Sequence, residues 1–310
     1  MFLASSLLLP GCDSSSVPLR LGTNVWPGYE PLYLAREQGY LNPDDVKLVE
    51  LPSATDVMDA LRLGHLEAGA LTLHEVLTLV AEGEQLSVIL VFDISAGADV
   101  VMARTDIEGV SDLAGHSIAV ETTAVGALML KSALEMGELK ADDVKVVHLP
   151  LTDHLKAFRA QRIDAAVTFY PYAADLEKAG AHKIFDSSAI EGQIVDVLAV
   201  RSDLLSSRKR DIESLLKAYY QALADITNHP QAMLPMLNKR LQLSAEEVPH
   251  ILDGLILPDY KANLELLSGH PSKLDRSAQT LSEVMARQRL LARPLFIDKL
   301  TFSFELEGMQ

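Results

Sequence analysis

Short β-branched or apolar runs alternate with longer stretches in which apolar residues recur every three or four positions. Leu19-Arg20-Leu21-Gly22-Thr23 reads as a strand. A helix follows and ends near Gly39, placed as a C-terminal cap. Residues 46–51 read as a second strand, 55–63 as an amphipathic helix with Thr55 as N-cap, and 68–71 as a third strand. The same order then returns. Residues 117–120 read as a strand, a helix ends near Gly137, and 144–149 is again a strand. A helix over 153–161 with Asp153 as N-cap and a strand over 165–169 complete the second copy. Strands alternating with helices imply a mainly parallel sheet in each copy.

The two copies are related in sequence as well as in pattern. Asp44-Asp45-Val46-Lys47-Leu48-Val49-Glu50-Leu51-Pro52 recurs as Asp142-Asp143-Val144-Lys145-Val146-Val147-His148-Leu149-Pro150. Upstream, Gly28, Glu37, Gly39 and Leu41 match Gly126, Glu135, Gly137 and Leu139 in the same frame. Downstream, after a slip of one residue, Thr55-Asp56 matches Thr152-Asp153 and Leu66-Glu67-Ala68 matches Ile163-Asp164-Ala165. An ordered series of matches with a single slip is the signature of a duplication.

The intervening segments connect the copies. Residues 86–103, strand-rich and bearing glycine, read as a first crossover, and 194–200, apolar and β-branched, as the return. From Asp203 onward the chain reads as helical, with long amphipathic stretches over 212–228 and 277–291 that would pack on the first lobe. The expected fold is α/β: two similar lobes, two crossovers and a ligand cleft between them. The expected boundaries are 1–17 for a signal and linker, 18–103 with 199–310 for lobe one, and 104–198 for lobe two.

Composition narrows the function. A length of 310 residues suits two domains, and 48% hydrophobic with 23% charged residues is a globular balance. A net charge of −16 argues against nucleic acid and against docking on anionic lipid through basic patches. The single cysteine, Cys12, excludes internal disulfides and cysteine metal sites, and the nine histidines form no HExxH or close pair. No metal or cofactor is expected. Phosphate-loop, dinucleotide-binding and Gly-x-Ser-x-Gly motifs are absent from the sequence, so catalysis is not expected either.

Met1 to Cys12 is apolar, uncharged and too short to span a bilayer. Leu9-Pro10-Gly11-Cys12, followed by Asp13 and three serines, resembles the end of a bacterial lipoprotein signal. It implies lipidation at Cys12 and attachment to the periplasmic side of the cell membrane.

The duplication makes two loops counterparts: Asn24-Val25-Trp26-Pro27-Gly28-Tyr29-Glu30 and Thr122-Thr123-Ala124-Val125-Gly126. Each lies between a strand and a helix, where free N–H groups gather. Asn24, Trp26, Tyr29, Thr122 and Thr123 are the candidate ligand contacts here. Trp26 is the only tryptophan; it reads either as a stacking face or as a plug on the helix below. Glu30 reads as a helix-capping acid. A second pair of loops contributes Thr72 and Tyr170, while His74 reads as an exposed helix residue. Asp93, Asp99 and Asp196 lie in or near the crossovers. They read either as hydrogen-bonding acids of the hinge or, for Asp93 and Asp196 above all, as contacts for a ligand amino group.

Trp26-Pro27-Gly28-Tyr29-Glu30-Pro31-Leu32-Tyr33-Leu34-Ala35, Gly39-Tyr40-Leu41, residues 61–68, Asp112-Leu113-Ala114-Gly115 and Tyr170-Pro171-Tyr172 together resemble the nitrate, sulfonate, taurine and thiamine-pyrimidine binding proteins. That resemblance implies a periplasmic binding fold of the second type and a monomer that delivers a small molecule to an ABC permease. A ligand-sensing subunit of a membrane receptor is the alternative it leaves open, with a pyrimidine-synthesis enzyme behind it. The cleft loops carry no Arg or Lys. Both a sulfonate or oxyanion and a pyrimidine or amine remain open as ligand.

Overall fold

The computed structural model describes residues 17–121 and 124–309. Cys12 with the signal-like segment, and Thr122 and Thr123, lie outside the described residues. The first copy runs β1 (Leu19–Thr23), α1 (Glu30–Glu37), β2 (Val46–Glu50), α2 (Ala54–Arg62), β3 (Ala68–Thr72) and α3 (Leu73–Glu82), followed by β4 (Leu86–Ser95). Next come β5 (Asp99–Ala103), β6 (Ser117–Val120), α4 (Ala124–Met136), β7 (Lys145–His148), α5 (Leu151–Arg159), β8 (Ala165–Phe169), α6 (Tyr172–Lys178) and β9 (His182–Asp186). The return strand β10 (Val195–Arg201) leads to α7 (Leu204–Ser207), α8 (Lys209–Asn228), α9 (Pro230–Leu241), α10 (Glu247–Asp253), β11 (Leu255–Ile256), α11 (Tyr260–Leu267) and α12 (Lys273–Arg287).

Two sheets result, ordered β11-β4-β10-β3-β1-β2 and β7-β6-β8-β5-β9. In the first, β1 pairs in parallel with β2 and β3, and β10 runs antiparallel between β3 and β4. In the second, β6 pairs in parallel with β7 and β8, and β5 runs antiparallel between β8 and β9. The duplication seen in sequence is therefore a duplication of topology, down to one antiparallel strand inserted at the same place. It extends to hydrogen bonds. Arg20 N donates to Glu67 Oε2 at 2.8 Å, and Ser117 N to Asp164 Oδ2 at 2.9 Å, each acid tying the start of one strand to its neighbour.

The sheets exchange their inserted strands. β5 belongs to the second sheet and β10 wholly to the first, so the strands divide a few residues earlier than 103/104 and 198/199. The apolar run over 86–103 is broken at Gly97, whose φ of 131° interrupts the strand and lets the chain change sheets.

Two expected caps are displaced. Ser53 caps α2, accepting from Asp56 N at 3.1 Å, which leaves Thr55 inside the first turn. Pro150 opens α5, and Asp153 lies in its first turn without capping it. Gly39 does close α1 with a φ of 75°. At the end of α4 the left-handed residue is Glu138, and Gly137 serves close packing: a Cβ there would lie 2.8 Å from the Val110 carbonyl oxygen.

The C-terminal helices cover the first sheet. Ile212, Leu215, Tyr219, Leu223 and Ile226 on α8 follow a three-to-four spacing and pack into one cluster with Leu32 and Tyr33 of α1 and Leu19 and Leu21 of β1. Full burial of each such side chain contributes roughly 1.5–3 kcal/mol before its entropy cost. Leu274, Ala278 and Met285 of α12 do the same on the other face, against Leu73 and Leu77 of α3.

Candidate ligand site

The parallel strands of both sheets end at one cavity of about 60 Å³, well above the roughly 10–15 Å³ that a single water needs. Asn24 just past β1, Trp26 and Tyr29 on the loop into α1, Thr72 ending β3 and Glu75 in the first turn of α3 form the wall from the first lobe. Glu121 just past β6, Gly126 and Met129 on α4, and Thr168 and Phe169 on β8 form the wall from the second. Asp99, Ile194 and Asp196, on the crossovers, close the back.

Trp26 is 4% exposed, and its indole N–H donates to Asp93 Oδ2 at 3.0 Å. Its ring meets Phe169 edge to face, centroids 5.2 Å apart, so the two lobes touch at the cavity wall. Trp26 is thus held in place by the protein and still presents surface to the cavity. Gly28 makes the arrangement possible, since a Cβ there would stand 1.8 Å from Asp93 Oδ2. Tyr29 donates its hydroxyl to Asp196 Oδ1 at 2.5 Å. Thr72 and Glu75 form a capping box, Thr72 N donating to Glu75 Oε2 at 2.8 Å.

Of the residues expected at the site, Asn24, Trp26, Tyr29, Thr72 and Asp196 line the cavity. Asp93 is fully buried directly behind Trp26 and does not line it. Tyr170 is turned away: it sits one residue past β8 and donates to Glu177 at 2.6 Å, while its neighbour Phe169 faces in. Glu30 is an ion-paired acid instead of a simple cap, accepting from Arg240 Nε at 2.7 Å. His74 is 1% exposed, not a surface residue, and neither ring nitrogen has a partner, so burial pushes its pKa down to about 4. Glu75 and Glu121 were not singled out from sequence. Thr72-x-x-Glu75 is a capping-box signature, and Glu121 follows β6 as Asn24 follows β1, so both carried a signal.

The acids share one electrostatic environment. Asp93 and Asp196, opposite one another on β4 and β10, are both pushed well above the usual carboxylate range by burial, Asp93 also by the charge of Asp99 and Asp196 by that of Asp93. Burial and the charge of Glu75 bring Asp99 and Glu121 each to about 7. The lining includes no Lys, Arg or His among the described residues.

The NMT1-like family matches residues 13–234. The chain belongs to that family. A protein of Escherichia coli (strain K12) described as an aliphatic sulfonates-binding protein is 24% identical over 258 residues, covering 81% of this chain and 80% of its own. Among solved structures, the alkanesulfonate-binding protein of Xanthomonas axonopodis pv. citri bound to MOPS superposes with a TM-score of 0.77 at 17% identity, over 93% of this chain and 99% of that one. The desulfurization enzyme DSZB shares the fold with a TM-score of 0.62 at 19% identity, over 90% and 94%. The NMT1-like fold thus serves both binding proteins and an enzyme, and the two-lobed α/β architecture expected from the duplication is the one found.

Proposed function

We propose that this NMT1-like chain is the extracytoplasmic solute-binding component of an ABC importer, a monomer that captures one small molecule between its lobes and presents the closed form to a permease. The observation that carries this reading is the cavity itself: strand ends from both sheets wall it, and the connections between the sheets form its back. A solute touching both walls only in the closed form shifts the opening equilibrium by its differential affinity. The sulfonate-binding relative supports the role. Lipidation at Cys12 would hold the protein at the periplasmic face of the membrane.

Turnover is not part of this reading. The described lining offers no Ser, Cys, His or Lys, so Ser–His, Cys–His and lysine-based nucleophile arrangements are not built there. Mass spectrometry of the co-purifying solute, followed by calorimetry and small-angle scattering with that solute, tests the proposal. Binding with a smaller radius of gyration and recovery of unchanged solute are expected. A radius unaffected by saturating solute, or chemically altered solute, would defeat it.

A further inference from the structure

Two acids and one hydroxyl at the cavity hold acceptor atoms that the protein leaves unused. Asp196 Oδ1 accepts from Tyr29, but its Oδ2 has no partner within the protein, and neither has Asp99 Oδ2. On β8, the strand that pairs with β5 and its Asp99, Thr168 Oγ1 is 2% exposed and equally without a partner. Behind Trp26, Asp93 Oδ1 is in the same condition. Glu75 and Glu121 add two more acids to the lining, and no basic side chain among the described residues offsets them.

Buried acceptors without donors are costly, and clustered buried acids cost more because each repels the next. An anionic solute would add to that repulsion. A metal ion would need three converging ligands, and no His, Cys, Asp and Glu group of three among the described residues is so placed. An alkylammonium or amidinium differs from both: it carries several N–H donors around one positive charge and reaches acceptors that do not converge. The rest of the wall suits an apolar body, with Met129, Val167 and Ile194 beside the rings of Trp26 and Phe169.

We propose that the solute is a small organic cation, a protonated amine or amidinium on an apolar body, whose N–H groups are taken by Asp99, Asp196 and Thr168. This rests on the solute-binding reading above. Because burial and the charge of Glu75 bring Asp99 and Glu121 each to about 7, capture of the cation expels protons from them. Affinity therefore rises with pH through neutrality for as long as the amine stays charged.

The test is a melting and calorimetric screen of the purified protein with butylamine, 1,4-diaminobutane, benzylamine and benzamidine. Butanesulfonate, benzenesulfonate, benzyl alcohol and calcium chloride are the opposing arms. At least one cation should bind, on the order of tenfold more tightly at pH 8 than at pH 6, and none of the opposing probes should match it. Asp99→Asn and Asp196→Asn should weaken that cation at least about tenfold, and Thr168→Val several-fold, as expected for charged and neutral acceptors. Without added ligand, both Asn variants should melt at or above wild type at pH 8, because each replaces a buried acid whose charged form burial and neighbouring acids disfavour. A sulfonate, the neutral alcohol or calcium binding as tightly as any cation overturns the proposal. So do Asn variants that melt below wild type at pH 8, which would make the acids structural; should all probes be silent, this measurement decides. Sulfonate binding that contracts the protein would sink the cation and leave solute capture standing; cation binding without contraction would do the reverse.

Discussion

Trp26→Phe isolates one hydrogen bond at the cavity wall. Phe keeps an aromatic ring near Phe169 but removes the indole N–H that reaches Asp93 Oδ2 at 3.0 Å. Asp93 Oδ1 has no partner to begin with, so the variant leaves the whole carboxyl without a donor. A neutral hydrogen bond contributes about 1 kcal/mol and one to a charged group about 1.5–3 kcal/mol. Burial and the charge of Asp99 push Asp93 up to about 8, while the Trp26 N–H holds it lower than it would otherwise stand. At pH 6 Asp93 is protonated in both proteins, and the variant loses the neutral bond plus the packing of the larger ring. At pH 9 wild type carries an ionised Asp93 that accepts from Trp26, and the variant cannot match it. The sign follows from linkage. A carboxyl whose folded pKa is raised above its unfolded value near 4 loses stability as pH climbs from the lower value to the higher. In wild type that loss levels off near 8; in the variant it continues further. The cost of Trp26→Phe should therefore grow by up to about 1.4 kcal/mol between pH 6 and pH 9. Urea unfolding followed by circular dichroism suits the assay, because the only tryptophan is gone. The same pair compared in an Asp93→Asn background should show a cost that does not change with pH. A cost equal at both pH values, or a pH dependence that survives Asp93→Asn, would refute the reasoning.

Other substitutions report on neighbouring features. Gly28→Ala must displace Asp93 or Trp26 and should cost about 1–3 kcal/mol by thermal melting, recovered in part by Asp93→Ala. Arg240→Met strips Glu30, which is 1% exposed, of its partner and should cost about 3–5 kcal/mol. Glu30→Gln or lower pH should restore much of that loss, since the raised pKa of the stranded acid makes stability rise as pH falls. Lys178 bridges the lobes to Glu247 at 3.2 Å, and Lys178→Ala should loosen closure by less than about 1 kcal/mol, visible in scattering only at low salt. Cys12→Ser, expressed with its native leader, should move the protein from membranes to the soluble fraction.

The duplication made most of the fold readable. Equivalent residues in 44–52 and 142–150 build equivalent strands, and the strand ends they flank meet at one cavity. What escaped was set by contacts between distant segments. The apolar run over 86–103 gives no sign that Asp99 starts a strand in the other sheet, because both halves are equally buried. Asp196 is readable as a candidate contact, whereas Asp99 reads first as a hinge acid until its position at the back of the cavity is known. His74 is buried on α3, a helix that packs against α12 some two hundred residues further along the chain. Phe169 and Tyr170 were indistinguishable from composition; only the exact end of β8 decides which ring faces in.

The residues at the back of the cavity belong to the strands that join the lobes. Asp196 is on β10, Asp99 begins β5, and Ser95 N donates to Ile194 O at 3.0 Å to hold the two passages side by side. Ser187 braces the bend, meeting Ser95 Oγ and Gly97 N, each at 2.7 Å. On the proposed reading, recognition and movement therefore cannot be retuned one at a time: a change that alters grip on the solute at these positions should also alter how far and how often the molecule opens. On the same reading, divergence toward a new solute is channelled to loop positions such as Trp26, Tyr29 and Glu121, which line the cavity without lying on the strands that join the lobes. A fluorescent reporter built on this scaffold would keep the strand acids as its transducer and take its selectivity from those loops.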